Sequence, residues 1–245
     1  MNKSWVLILG AGSDIGTATA RRFAKAGYNI YLASRNMEEL YIEANNLVFK
    51  YNVEAKPFYF DALDYGKHKE FYNNLNPKPF GTILSYGLLG DQISAQKDFS
   101  HAQSIIATNY TSAVSILEII ASELEMKKNG FIVGISSVAG DRGRQSNYIY
   151  GSAKSGFSTY LSGLNHRMYK SGVTVLTVKP GFVETKMTTG LDLPERLTAK
   201  PKEVAEYIFK SIQKRKSMIY VKPVWRLIML VIIHLPELIF KRSNL

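Results

Sequence analysis

Cysteine does not occur in the 245 residues. No disulfide framework and no thiolate metal centre can be assembled from this chain, and a reducing compartment suits it. A secretory leader is not visible either. The apolar residues 6–9 run straight into glycines and are too short for the core of a signal peptide. Long hydrophobic runs are also missing. Residues 224–240 are mostly apolar but fall short of the ~20 residues that a spanning helix needs, and Pro236 interrupts them. Internal repeats, low-complexity stretches and linkers are absent, which predicts one dinucleotide-binding type domain over residues 1–222 and an apolar, basic extension over 223–245. The expected location is the cytoplasm, with peripheral contact at the inner face of the membrane as an extension of that expectation.

Acidic residues are the scarcer charge: 20 against 31 basic ones, a net charge of +11. The excess gathers late, with ten Lys/Arg and three Glu from Lys200 onward. A basic end suits anionic lipid or an anionic substrate. No motif for reading RNA or DNA accompanies it, so nucleic acid is not an expected partner. The hydrophobic share, 46%, is ample for a buried core.

What is present is an alternation. Continuous apolar stretches at 5–9, 29–33, 56–60, 82–86, 131–135, 173–178 and 218–221 read as strands. Between them, 15–26, 37–51, 65–75, 101–126, 147–170 and 201–213 read as helices. Strands of this kind, covered by helices on both faces, predict an α/β fold with a doubly wound parallel sheet.

Between the first strand and first helix lies Gly10-Ala11-Gly12-Ser13-Asp14-Ile15-Gly16. Such a turn aims backbone amides and a helix N-terminus at a phosphate, with glycines where a Cβ would block the approach. The second strand ends Ala33-Ser34-Arg35-Asn36. It carries no carboxylate for a ribose 2′-OH, and Arg35 beside Ser34 favours a 2′-phosphate. NADP(H) is therefore the expected cofactor and NAD(H) the alternative. After the third strand, Asp61 and Ala62 face the adenine end; Asp61 either accepts from the adenine amino group or caps the helix that begins near Asp64.

Tyr150 and Lys154 stand four apart on a predicted helix and share a face. An ammonium beside a phenol should lower the phenol's pKa and ready it as a proton donor. Ser137, at the end of the fifth strand, can hydrogen-bond the same substrate oxygen. No metal site is expected.

With these motifs in order, together with Asn109 in Thr108-Asn109-Tyr110 and the run Pro180-Gly181-Phe182-Val183-Glu184-Thr185, the chain resembles the short-chain dehydrogenase/reductase family through about Thr185. The resemblance implies a Rossmann fold and an NAD(P)H-dependent enzyme acting on CH–OH and C=O groups. It implies Tyr150 as general acid, Lys154 tuning it and binding the nicotinamide ribose, and Ser137 polarising the carbonyl. Asn109 would hold a water, and Gly87, Pro180, Gly181, Val183 and Thr185 would lie on the nicotinamide side. A homo-oligomer is implied as well.

Two departures stand out. Asp14 replaces the middle glycine of the turn, which brings an anion toward a pyrophosphate unless Asp14 turns away to cap the helix. Leu84-Ser85-Tyr86 replaces the usual Asn-Asn-Ala before Gly87, so strand-end contacts there are expected from backbone. Together with Tyr86–Asp91, Asn109-Tyr110-Thr111, Trp225-Arg226 and His234-Leu235-Pro236, these departures resemble one subgroup, the decaprenylphosphoryl-2-keto-ribose reductases. That likeness implies a keto-sugar on a polyprenyl phosphate and a role in cell-envelope biosynthesis, with 224–242 touching the membrane as an interfacial helix. The alternatives are a soluble reductase of a small ketone, 3-oxoacyl or steroid substrate whose tail packs internally, and a non-catalytic dinucleotide-sensing protein.

Overall fold

The computed structural model describes residues 3–190 and 192–242; the outermost residues of the two predicted segments, 1–2 and 243–245, lie outside them. Seven parallel strands form one sheet in the order β3-β2-β1-β4-β5-β6-β7. In chain order the first elements are β1 (Trp5–Leu9), α1 (Asp14–Lys25), β2 (Asn29–Ser34), α2 (Met37–Tyr51), β3 (Ala55–Tyr59), α3 (His68–Asn73) and β4 (Gly81–Leu84). Then follow α4 (Gln92–Lys97), α5 (Phe99–Ile106), α6 (Ser112–Lys127), β5 (Phe131–Ile135), α7 (Tyr148–Met168), β6 (Thr174–Pro180), α8 (Pro201–Gln213), β7 (Met218–Val221), α9 (Val224–His234) and α10 (Glu237–Phe240).

The all-apolar strands conceal a two-faced pattern. Val6 and Ile8 of β1 join the core under α1, α2 and α8, whereas Trp5, Leu7 and Leu9 join the core under α3, α6 and α7. Period-two alternation sorts side chains to two buried faces, which is why no polar residue interrupts the strand. Strand order reverses beside β1, between β2 and β4. The crevice outside the carboxyl ends of these strands is where open α/β sheets take ligands.

Most predicted elements lie within a few residues of those observed, and the differences have local causes. The helix expected over 101–126 begins at Phe99 and carries a π-turn over Ala107–Thr111 before α6. One extra residue per turn there bulges the backbone at Asn109. The continuous helix, Phe99–Lys127, is long and apolar enough to cross a membrane by composition, yet Ala113, Ile116, Leu117, Ile120, Ala121 and Leu124 bury one face of it in the core. The helix expected over 65–75 shortens to a 3₁₀ turn and α3. A short helix, α4, was not anticipated; Asp91 caps it through the Ser94 amide at 2.7 Å.

The C-terminal extension is built into the fold. Trp225, Met229 and Ile232 of α9 are buried against Val138, Phe182, Leu197 and Tyr220. Its opposite face carries Leu227, Leu230 and Val231, more than half exposed, and α10 adds exposed Leu238 and Ile239.

Candidate active site

The glycine turn is tied to its neighbours by backbone. Gly10 and Ala11 donate to the Ala33 carbonyl at 2.9 and 3.1 Å, fastening the turn to the end of β2. Gly10 has φ +82°, a left-handed conformation that favours glycine, and a Cβ there would lie 2.5 Å from the Tyr86 nitrogen. A Cβ on Gly16 would meet the Gly10 carbonyl at 2.3 Å. These two glycines serve the turn's own packing. Gly12 differs, since a Cβ there would make only ordinary contact with the Ser34 hydroxyl at 3.4 Å and the Glu39 carboxylate at 3.6 Å.

Ser13, rather than Asp14, caps α1: its hydroxyl accepts from the Gly16 amide at 3.0 Å and donates to the Gly10 carbonyl at 2.8 Å. The first-turn amides of Asp14 and Ile15 have no helical carbonyl ahead of them and remain for an anion. The Asp14 carboxylate instead accepts from the Lys186 amide at 2.7 Å, 172 positions along the chain. It is drawn off the phosphate position and clips the loop that follows β6. That loop holds Pro180 at the strand end, Gly181 beneath Trp225, Val183 paired with Ala199, and Thr185, whose amide donates to Thr188 Oγ1 at 3.1 Å.

At the tip of β2 the Ser34 hydroxyl is buried with no protein partner. Arg35 is exposed and makes no ion pair among the described residues. Asp61 is no helix cap. Its carboxylate folds onto its own turn, accepting from the Leu63 amide at 3.0 Å, with Ala62 between them. The orphaned Ser34 hydroxyl, free helix-start amides and an arginine without an ion pair form a donor set that fits a phosphorylated dinucleotide. The end of β4 corrects one expectation: side chain, not backbone alone, makes the contact. Ser85 Oγ donates to Leu9 and Gly10 carbonyls at 3.0 and 3.1 Å.

Farther along the crevice, Ser137 opens a 3₁₀ turn over Val138–Gly140 and caps it through the Ala139 amide at 3.1 Å. That turn lies flush on α7 because Gly140 and Gly151 face each other's elements. A Cβ on Gly140 would strike the Ser155 amide at 2.7 Å, and one on Gly151 the Ala139 carbonyl at 2.7 Å. Ser136 reinforces the contact, donating to the Lys154 carbonyl at 3.0 Å. The result brings the Ser137 hydroxyl to Tyr150, whose ionisation it favours.

Lys154 is buried, and its ammonium donates to the Ile135 carbonyl at 3.0 Å and stands 5.7 Å from the Tyr150 ring centre. Gly87 completes the spot: a Cβ there would lie 2.8 Å from Asn109 Oδ1 and 3.3 Å from Lys154 Nζ. Asn109, on the π-turn, accepts from the Leu88 amide at 3.2 Å and donates to the Leu88 and Ile105 carbonyls at 2.6 and 2.8 Å. The expected lowering of the phenol's pKa does not hold in this structure. Burial pushes Tyr150 up to about 12, with Ser137 opposing in part, and burial brings Lys154 down to about 8. Desolvation penalises the charged form of each group.

Sequence reasoning overlooked the loop between Ser137 and α7. Asp141 pairs with Lys179 at 2.5 Å and accepts from the Tyr220 hydroxyl at 2.8 Å, locking the loop to β6 and β7. Arg142 donates to the Ile232 and Leu235 carbonyls at 2.5 and 2.7 Å and pairs with Glu237, clasping the end of α9. The only signal was the charge-dense string Asp141-Arg142-Gly143-Arg144 between Ser137 and Tyr150.

Comparison with known proteins gives a consistent result. A family model described as short chain dehydrogenase matches residues 4–196. An uncharacterised oxidoreductase of Mycobacterium tuberculosis is 35% identical over 240 residues, spanning 97% of this chain and 96% of the relative. Another, of Streptomyces coelicolor, is 33% identical over 243 residues, spanning 97% and 94%. A solved short-chain dehydrogenase from Sphingobium yanoikuyae in complex with NADPH superposes with a TM-score of 0.83 at 24% identity, over 93% of this chain and 92% of that one. A 7beta-hydroxysteroid dehydrogenase reaches 0.87 at 18% identity, over 98% and 96%. At those identities the structural likeness is one of fold.

Proposed function

The chain belongs to the short-chain dehydrogenase family of NAD(P)H-dependent oxidoreductases, and from that premise we propose that it is an NADPH-dependent reductase turning a ketone into a secondary alcohol. The observation that carries the reading is the convergence of Ser137, Tyr150, Lys154 and Asn109 beside a turn suited to a dinucleotide.

The residues that would hold the dinucleotide are Gly10 to Gly16 at the diphosphate, Ser34 and Arg35 at the 2′-phosphate, Asp61 and Ala62 at the adenine, and Gly87, Lys154, Pro180, Gly181, Val183 and Thr185 at the nicotinamide end. When bound, it supplies a hydride to the carbonyl carbon. The NADPH of the Sphingobium relative, the exposed Arg35 and the orphaned Ser34 support the phosphorylated form.

Ser137 and Tyr150 hold the carbonyl oxygen with their hydroxyls. Tyr150, with a pKa of about 12, is protonated at neutral pH and passes its Oη proton to that oxygen as charge develops. Lys154, at about 8, is still a cation at pH 7 and stabilises the phenolate left behind. Asn109 orients a water that relays a proton from solvent toward Lys154.

The substrate class we favour is a keto-sugar carried on a polyprenyl phosphate, in cell-envelope biosynthesis, handled by a cytoplasmic homo-oligomer. Its support is the outer face of α9 and α10, an apolar surface flanked by Lys222, Lys241 and Arg242 that suits an anionic membrane. The buried inner face of α9 favours the second reading, a soluble reductase of a small ketone, 3-oxoacyl or steroid substrate.

Tyr150→Phe should lower kcat by about 10³-fold while NADPH still quenches protein fluorescence as before; retained turnover refutes the assignment. Flotation with anionic vesicles separates the two substrate readings. Co-flotation lost in a Leu227→Asp/Leu230→Asp variant supports the lipid-linked one, and a protein that never floats supports the soluble one.

A further inference from the structure

We propose that Arg144, with Asn147 and Gln92, forms a subsite beside Tyr150 that reads a phosphate ester on the keto substrate, the guanidinium taking the phosphate and the two amides taking sugar hydroxyls. The inference rests on the reductase reading and names what distinguishes its substrate.

Arg144 and Asn147 close the turn that leads into α7: the Asn147 amide donates to the Arg144 carbonyl at 3.1 Å. Gln92 reaches the same place from α4, its Oε1 accepting from the Ile149 amide at 3.1 Å. Ile149 and Tyr150 then pack together on Leu88, Ala95, Ala102 and Ile105. The turn that bears Arg144 and Asn147 and the side chain of Gln92 thus meet at the start of α7, the helix that carries Tyr150.

Each of the three retains a buried polar atom without a protein partner: Arg144 Nε, Asn147 Oδ1 and Gln92 Nε2. Only seven such side-chain atoms occur among the described residues, so three in one turn and its neighbour form a concentration. Buried polar groups ordinarily find partners, so a group of unmet donors and acceptors calls for one. The set offers a cation, a donor and an acceptor, the complement of a phosphate beside hydroxyls.

Arg144 is the sharper case because its neighbours are committed. The carboxylate of Asp141 is held by Lys179 and Tyr220. Arg142, two positions away, has three carbonyls, Glu237 and the Phe240 ring. Among the described residues, the one hydrogen-bond contact of the Arg144 side chain is a methionine sulfur, Met229, at 3.4 Å, a weak acceptor. Burial pushes the guanidinium below its ordinary pKa, with the charge of Asp141 opposing in part, although arginine stays charged. A desolvated cation without a hydrogen-bonded anion is destabilising unless a ligand supplies one.

The test uses the full chain saturated with NADP+, so that binding is measured without turnover. Calorimetric titration compares ribulose 5-phosphate with ribulose. The phosphate ester should bind at least about tenfold tighter, a difference of about 1.4 kcal/mol. Arg144→Met should erase that difference, with NADP+ affinity unchanged and the melting temperature no lower, and Arg144→Lys should restore part of it. Gln92→Leu should weaken both ketoses alike. Equal binding of the two ketoses by the unaltered protein, or equal losses for both in Arg144→Met, overturns the subsite. Competition with farnesyl phosphate in micelles separates the sources of the anion: displacement of ribulose 5-phosphate points to a lipid-linked ester, and none to a free sugar phosphate. Failure of the reductase reading would look different, as Arg144-dependent binding with no NADPH oxidation by either ketose.

Discussion

The glycine turn is built from backbone bonds, small residues and one short hydroxyl, Ser34. The Arg144 turn is built from long side chains that meet from a loop, α4 and α9. The first end is shaped by what is left out, and its geometry follows from local chain conformation. The second is shaped by what is packed in, and depends on elements up to 95 residues apart, as the Arg142 clasp on Glu237 illustrates. A dinucleotide has the same diphosphate in every enzyme that binds it, so a backbone cradle suffices; a substrate must be told from its neighbours, which takes side chains.

If that contrast is right, removing bulk should damage the substrate end most. Trp225→Ala empties the space over Gly181, Phe182 and Val138 and loses the bond from its Nε1 to the Leu197 carbonyl. It should destabilise the fold by about 3–5 kcal/mol, lowering the melting temperature by roughly 10 °C in a calorimetric scan. Adding bulk should do the damage at the cofactor end. Gly16→Ala drives a methyl into the Gly10 carbonyl, and an overpacking strain of about 1–3 kcal/mol predicts NADPH binding weaker by about 10- to 100-fold in a fluorescence titration.

Electrostatics sharpens the contrast where the two ends meet. Reduction needs Lys154 cationic and Tyr150 protonated. Lys154, lowered to about 8, loses its proton first as pH rises, and Tyr150, near 12, last. The kcat/KM for reduction should be flat below pH 8 and fall by about tenfold per unit above it, and Lys154→Met should abolish that limb in a pH profile. The smallest effect belongs to the Asp14 clip across the crevice. Asp14→Gly should raise proteolytic nicking near Lys186 severalfold, consistent with loss of about 1 kcal/mol for one hydrogen bond, whereas Asp14→Asn keeps an acceptor and should nick at the original rate.

Legibility in the sequence followed the same division. Gly10, Gly12 and Gly16 were visible as a spacing because each is demanded by a turn within seven residues. Tyr150 and Lys154 were visible because a helix puts i and i+4 on one face. Asp14 was conspicuous as a misfit, but its partner was not, since nothing local links it to Lys186. The ionisation of Tyr150 was misjudged for a related reason: adjacency to a lysine can be read from spacing, whereas the burial that outweighs it cannot.

By itself, the order of apolar stretches and turns determined a parallel α/β sheet and the positions of the glycine turn and the Tyr150 helix, because periodicity and turn chemistry are local properties of the chain. Only the tertiary structure decided that α9 seals the loop after Ser137, that Asp14 closes a distant loop, and that Arg144 has no hydrogen-bonded anion among the described residues. Those outcomes depend on which side chains desolvate one another, and desolvation is set by contacts between segments that sequence neighbourhood does not encode.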